Sequence, residues 1–198
     1  MKNIKAYFNQ FHPLVWVLIT GTAFIRGSTY MTLPFLSIYL SNLNMSPMLI
    51  GLTIGISPLM GTIGGFIGGQ FSDRFGRIPM ILISITILVF VFIGFSMTGK
   101  PILFLLLNAL VGLSNSFFEP TSQALIADLT ERRIRMKAFS LRYTAINIGA
   151  SVGPLIGGYL VNVSLPGAFL FTGGIYLIYG VALFLFFSDT NKTSNLKV

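Results

Sequence analysis

The nine residues from Gly69 to Arg77, GQFSDRFGR, put one acid, two arginines and two glycines between two long apolar stretches, residues 49–70 and 79–98. The flanking stretches are so apolar that charges set between them need a reason. It reads as a short polar loop joining two membrane spans. Working outward in both directions, the same pattern of apolar run and brief polar break recurs along the whole sequence.

Composition leads to the same class. The chain has 198 residues, 54% hydrophobic and 9% charged, against roughly 25% charged for a soluble domain. Its mean hydropathy is +0.82. Such a chain cannot cover itself with a polar surface, so its solvent is lipid. Six stretches reach the roughly 20 residues a bilayer span needs: 14–40, 49–70, 79–98, 102–124, 140–163 and 168–187. The first is preceded by Lys2 and Lys5 but continues past Arg26 to Leu40 without a small-residue cleavage site, so it reads as a retained helix. The connections are short, and residues 188–198 form a polar tail.

Charge sets the expected orientation. Lys2, Lys5, Arg74, Arg77, Arg132, Arg133, Arg135, Lys137, Arg142, Lys192 and Lys197 fall at the N-terminus, in loops two and four, or in the tail, while Lys100 falls on the opposite side. The positive-inside rule then makes both termini cytoplasmic in a multi-pass protein of the cell membrane. The net charge of +8 is accordingly a topology signal rather than a nucleic-acid footprint. With no cysteine and one histidine, His12, the chain offers no metal centre, no cofactor site and no Ser-His-Asp triad in its spans, so it is not read as an enzyme. No glycine-rich phosphate loop with a lysine marks an ATP-driven pump.

Small residues within the spans suggest helix packing. Gly51, Gly55, Gly61, Gly65 and Gly69 repeat largely at spacings of four, with Gly64 and Gly68 on an adjacent line. Ala145, Gly149, Gly153 and Gly157 do the same in the fifth span, which also holds Pro154. Such stripes let helix backbones approach where lipid supplies no hydrophobic drive between them.

Two of these strings together resemble the major facilitator superfamily. The segment from Gly69 to Arg77 is similar to the signature between that family's second and third helices: glycine, three residues, Asp73-Arg74, one residue, Gly76-Arg77. The string GASVGPLIGGYL beginning at Gly149 resembles the fifth-helix motif of its drug/proton antiporter branch, with Gly149, Gly153, Pro154, Gly157 and Gly158 in place. The resemblance implies an all-α bundle of six transmembrane helices, built as two inverted three-helix repeats, the N-terminal half of a twelve-helix transporter. It further implies proton-coupled efflux of drug-like amphipathic compounds. The partners would be lipid, protons, a small-molecule substrate and a second six-helix half, as a homodimer or a separate chain. The alternative is a truncated, non-transporting remnant or assembly partner.

The chain departs from the family pattern at Ile78, where a basic residue is usual, and at Asn108, four residues before Gly112, where antiporters carry an arginine linked to proton coupling. Arg26 lies at a depth similar to Asn108, roughly 18 against 21 Å from the cytoplasmic side at about 1.5 Å per residue, so it is expected to supply a charge near the missing one. Glu119, just before Pro120, is a candidate proton-exchanging group. Its expected depth of roughly 4 Å argues against an ion pair with Arg26. Asn115 joins these as a candidate cavity residue. Asp73, Arg77 and Asp128 are expected to form a gating cluster at the cytoplasmic helix ends, as the family implies, with Arg74 beside it.

Overall fold

Proline opens three of the helices, and the side chains of His12, Ser46 and Ser164 cap three helix starts. The computed structural model describes residues 10–193, leaving Lys2, Lys5 and Lys197 outside; the side chains of residues 67, 69 and 189–193 are likewise not described. Six helices follow in order: α1 Pro13–Asn42, α2 Pro47–Phe75, α3 Arg77–Met97, α4 Pro101–Asp128, α5 Arg135–Val163 and α6 Leu165–Thr193. Pro13, Pro47 and Pro101 occupy first-turn positions, where the missing N–H costs nothing. His12 Nδ1 accepts from the Leu14 amide at 3.2 Å, and Ser46 Oγ accepts from Leu49 at 3.4 Å, each satisfying one free donor of a helix start.

The helices outrun the apolar stretches. The segment from Gly69 to Arg77 is therefore not a loop: α2 continues through Phe75, α3 starts at Arg77, and Gly76 alone breaks the helix. Gly76 has φ +91° and ψ 152°, a region open to glycine and closed to side-chain-bearing residues. Its N–H still bonds to Ser72 O at 3.1 Å. The expected polar tail from Ser188 is helical as far as Thr193. Polar residues do not stop a helix; they stop only the apolar run by which a span is recognised.

Among the described residues, five of the six helices are long and apolar enough to cross a bilayer. The exception is α1, whose 30 residues suffice in length. Arg26 and a set of hydroxyl residues dilute its apolar character. Those hydroxyls are absorbed internally: Thr22, Ser28, Thr29 and Thr32 are buried, and each bonds to the carbonyl four residues back.

The most extensive pairings are α2 with α4 and α1 with α5, followed by α3 with α6 and α3 with α4. Exchanging α1–α3 with α4–α6 maps the first pairing onto the second and the third onto itself, as two inverted three-helix units require. Glycine makes both main seams. A Cβ on Gly149 would lie 2.5 Å from Ala23 O, and one on Gly153 or Gly157 would collide with the carbonyl of Gly27 or Met31. In the matching seam, Gly112 of α4 lies against Ser57 O, and Gly64 and Gly68 of α2 lie against Ser116 and Phe117. The stripe expected on α2 is thus displaced. Gly51, Gly55 and Gly65 have open space around them, Gly61 alone of that line meets Gly112 O among the described side chains, and the adjacent line of Gly64 and Gly68 makes the close contacts. Elsewhere the core is aromatic, with ring centroids of Phe92–Tyr176, Phe95–Phe104 and Phe95–Phe169 at 5.5, 5.7 and 5.1 Å joining α3, α4 and α6.

Candidate functional site

Glu119 of α4 stands between two arginines. Arg26 Nη2 of α1 donates to its Oε1, and Arg142 Nη2 of α5 donates to its Oε2 at 2.5 Å. The side chains of Arg26, Glu119 and Arg142 are 24%, 20% and 7% exposed, so the cluster is largely withdrawn from solvent. A charge buried at this cost normally has a partner or a task. Here one carboxylate serves two guanidiniums, and the Nε atoms of both arginines are buried without an acceptor.

This arrangement corrects two expectations. Arg26 and Glu119 do form an ion pair. Their expected depth gap came from counting Glu119 inward from residue 102 across a core of about 30 Å, whereas α4 is long enough to run on to Asp128. Measured along the helices from that end of the bundle, at about 1.5 Å per residue, Arg26 lies about 20 Å in and Glu119 about 14 Å in. An extended arginine side chain closes the remainder. Arg142, expected in a cytoplasmic basic run, is instead a buried residue of α5. The sequence does carry a signal for it. The buried positions of α5 are Ala138, Arg142, Ala145, Gly149, Gly153 and Gly157, one helical face in steps of three and four. Arg142 extends the small-residue stripe toward the helix start.

Asn108 does not join this cluster. It is buried against the other seam, where its Nδ2 donates to Thr53 O of α2 at 2.5 Å. Asn115 is half-buried and close to neither arginine by any hydrogen bond. Below Arg26, α1 is tied to α6 by a 2.7 Å bond between Thr29 Oγ1 and the Tyr176 hydroxyl, and by Thr172 Oγ1 donating to Ser28 O at 3.4 Å.

A second charged group sits at the helix ends. Arg77 Nε of α3 meets Asp128 Oδ2 of α4 at 2.5 Å, and Arg77 Nη1 lies 4.0 Å from Asp73 of α2. Gly76 turns the chain so that Arg77 begins α3 facing both acids. Arg74 points elsewhere, its guanidinium 5.8 Å from the Phe75 ring centre. In the fifth-helix string, Gly149, Gly153 and Gly157 form the seam with α1, Pro154 lies inside α5, and Gly158 has only Phe35 nearby, at ordinary contact distance.

A multi-helix membrane bundle, folded as two exchanged three-helix units with an ion cluster between α1, α4 and α5, has the architecture of a membrane transporter. The sequence matches the Major Facilitator Superfamily model over residues 18–197, and the chain belongs to that family. It is 42% identical over 181 residues to "Uncharacterized MFS-type transporter YqjV" of Bacillus subtilis (strain 168), covering 91% of this chain and 44% of the relative. It is 33% identical to the "Na(+), Li(+), K(+)/H(+) antiporter" of Planococcus maritimus, covering 73% and 35%. It is 30% identical to "Multidrug resistance protein MdtH" of Yersinia pestis (strain Pestoides F), covering 81% and 38%. The chain therefore spans roughly two-fifths of the length of these relatives. Among solved structures, the POT family transporter PepTSo superposes with a TM-score of 0.75 at 21% identity, over 86% of this chain and 36% of that one. The proton:xylose symporter XylE superposes with 0.74 at 18%, over 87% and 44%. These two establish the fold. The relatives are transporters, which sets the chain apart from enzymes.

Proposed function

We propose that this chain is the N-terminal six-helix half of a proton-coupled secondary transporter that moves drug-like amphipathic compounds. The observation that carries this reading is Glu119 bridging Arg26 and Arg142 across three helices. Protonating that carboxylate removes the charge both guanidiniums pair with, so one proton loosens α1, α4 and α5 together. That is the differential interaction a two-state transporter requires. The Asp73–Arg77–Asp128 group serves in this reading as a latch at the cytoplasmic ends of the helices. The names of two relatives, an ion/proton antiporter and a multidrug resistance protein, support exchange and efflux. The basic residues around Arg77, Arg132 and Arg133 support an orientation with both termini cytoplasmic in the cell membrane.

The test is proton-gradient-driven movement of a panel of lipophilic dyes in vesicles containing only this chain. Gradient-dependent movement that Glu119→Gln abolishes is the expected result. If Glu119→Gln moves dye with unaltered dependence on the gradient, Glu119 is not the coupling group. A second reading is an assembly partner that acts only with another six-helix half. It predicts no movement by this chain alone and crosslinked pairs in the membrane.

A further inference from the structure

We propose that the Arg26–Glu119–Arg142 cluster recognises the acidic group of an amphipathic organic anion, an aryl carboxylate in the simplest case. This rests on the cluster being the substrate site of the transporter proposed above, and narrows the substrate to one sign of charge.

The count of donors against acceptors points this way. Two guanidiniums face one carboxylate, leaving the cluster with a net positive charge in a place where an unbalanced charge is costly. Glu119 has each oxygen already engaged, while Arg26 Nε and Arg142 Nε are buried with no acceptor. An oxyanion supplies the acceptors these groups lack, and arginine's planar fork matches a carboxylate in two-point geometry. A cationic ligand would find one acid, already taken.

The space beside the cluster suits the rest of such a molecule. A cleft of ≈ 590 Å³ between α4 and α5 is lined by Gln123, Phe139, Ser140, Arg142, Tyr143 and Thr144. Arg142 is thus both the most buried member of the ion cluster and part of the cleft wall, which also holds Phe139 and Tyr143. A ligand with an aromatic body and an acidic end can place its ring against Phe139 or Tyr143 while its oxygens face the arginine.

The experiment uses the full chain in phosphatidylcholine nanodiscs, with empty nanodiscs as background. Equilibrium binding of 1-pyrenebutyrate is compared with that of the cationic counterpart, 1-pyrenebutyltrimethylammonium. Saturable binding of the carboxylate and none of the ammonium is expected. Glu119→Gln removes the competing acid and should tighten carboxylate binding about tenfold, the equivalent of one charge-assisted hydrogen bond. Arg142→Gln should weaken it by about tenfold or more, and Arg142→Lys, which keeps the charge without the fork, by less. Saturable binding of the ammonium but not the carboxylate overturns the proposal, as does unchanged carboxylate binding in an Arg142→Gln protein with a wild-type melting curve. Should Arg142→Gln fail to fold, Glu119→Gln decides: tighter binding supports the proposal and unchanged binding overturns it. Gradient-driven dye movement without carboxylate binding would remove this inference and leave proton-coupled transport standing. Carboxylate binding without gradient-driven movement would do the reverse.

Discussion

Arg142 Nη2 and Glu119 Oε2 lie 2.5 Å apart on helices separated by the connection after Asp128, and the arginine side chain is 7% exposed. Arg26 still pairs with Glu119 when Arg142 is removed, so the loss is that of one charge-assisted hydrogen bond, about 1.5–3 kcal/mol, offset by relief of the unbalanced positive charge. Arg142→Gln is expected to destabilise by about 1–2 kcal/mol, and the double change with Glu119→Gln by less than the sum of the singles. A double-mutant cycle by thermal unfolding in nanodiscs checks this, and full additivity would mean the contact carries no coupling.

The seam between α1 and α5 predicts opposite outcomes for similar substitutions. Gly153→Ala drives a methyl into the Gly27 carbonyl and should cost about 1–3 kcal/mol. Gly65→Ala meets open space within a helix and should be neutral or stabilising by up to about 1 kcal/mol. Melting temperatures of the two variants suffice to compare them.

Gly76 holds the whole α2–α3 turn at φ +91°. Gly76→Ala is expected to cost about 1–3 kcal/mol as local strain and to displace Arg77 from Asp128. Melting reports the first effect. Loss of a crosslink between cysteines introduced beside Arg77 and Asp128 reports the second.

Asn108, four residues before Gly112, is walled in by α2 and bonded to Thr53 O. Asn108→Arg should therefore destabilise the bundle by about 1–3 kcal/mol, through overpacking, without raising gradient-dependent transport. Asn108→Ala should cost about 1–3 kcal/mol for the unsatisfied carbonyl and the lost bond. Transport and melting, measured on the same preparations, separate the two effects.

The pair of Arg77 with Asp128 lies at the bundle's edge, with side chains 30% and 54% exposed. Exposed pairs contribute about 0.2–1 kcal/mol, so Asp128→Asn should barely move the melting temperature. A latch role would appear instead as altered cysteine accessibility of neighbouring positions on α2 and α4, with added salt mimicking the substitution.

The helical class, the stripe on α5 and the Asp73 partner of Arg77 were legible because each rests on local spacing, while Asp128 was expected only from the family resemblance. Arg142 was not. Counted with Arg132, Arg133, Arg135 and Lys137, it looked like one more anchor, and only its register with Gly149 and Gly153 distinguishes it. The Arg26–Glu119 contact was hidden for a different reason: a fixed core thickness understates how far α4 runs, to Asp128, and backbone depth ignores the reach of an arginine side chain. Which of two glycine lines on α2 meets α4 depends on helix rotation, which no single helix encodes. Gly64 and Gly55 differ only in what the neighbouring helix brings to them.

The two kinds of interior contact differ in stiffness. Around Phe92, Phe95, Phe104, Phe169 and Tyr176, interlocked rings resist any shear between α3, α4 and α6. Where Gly149, Gly153 and Gly157 run along Ala23, Gly27 and Met31, backbone meets backbone with no side chain to act as a tooth. Helices can roll or slide there at little cost. Compliance is therefore concentrated along α1–α5 and α2–α4, and the ion cluster at Glu119 lies where α1, α4 and α5 come together. In the proposed cycle it would be the bolt at the junction of two smooth bearings, its charge state setting how freely they turn.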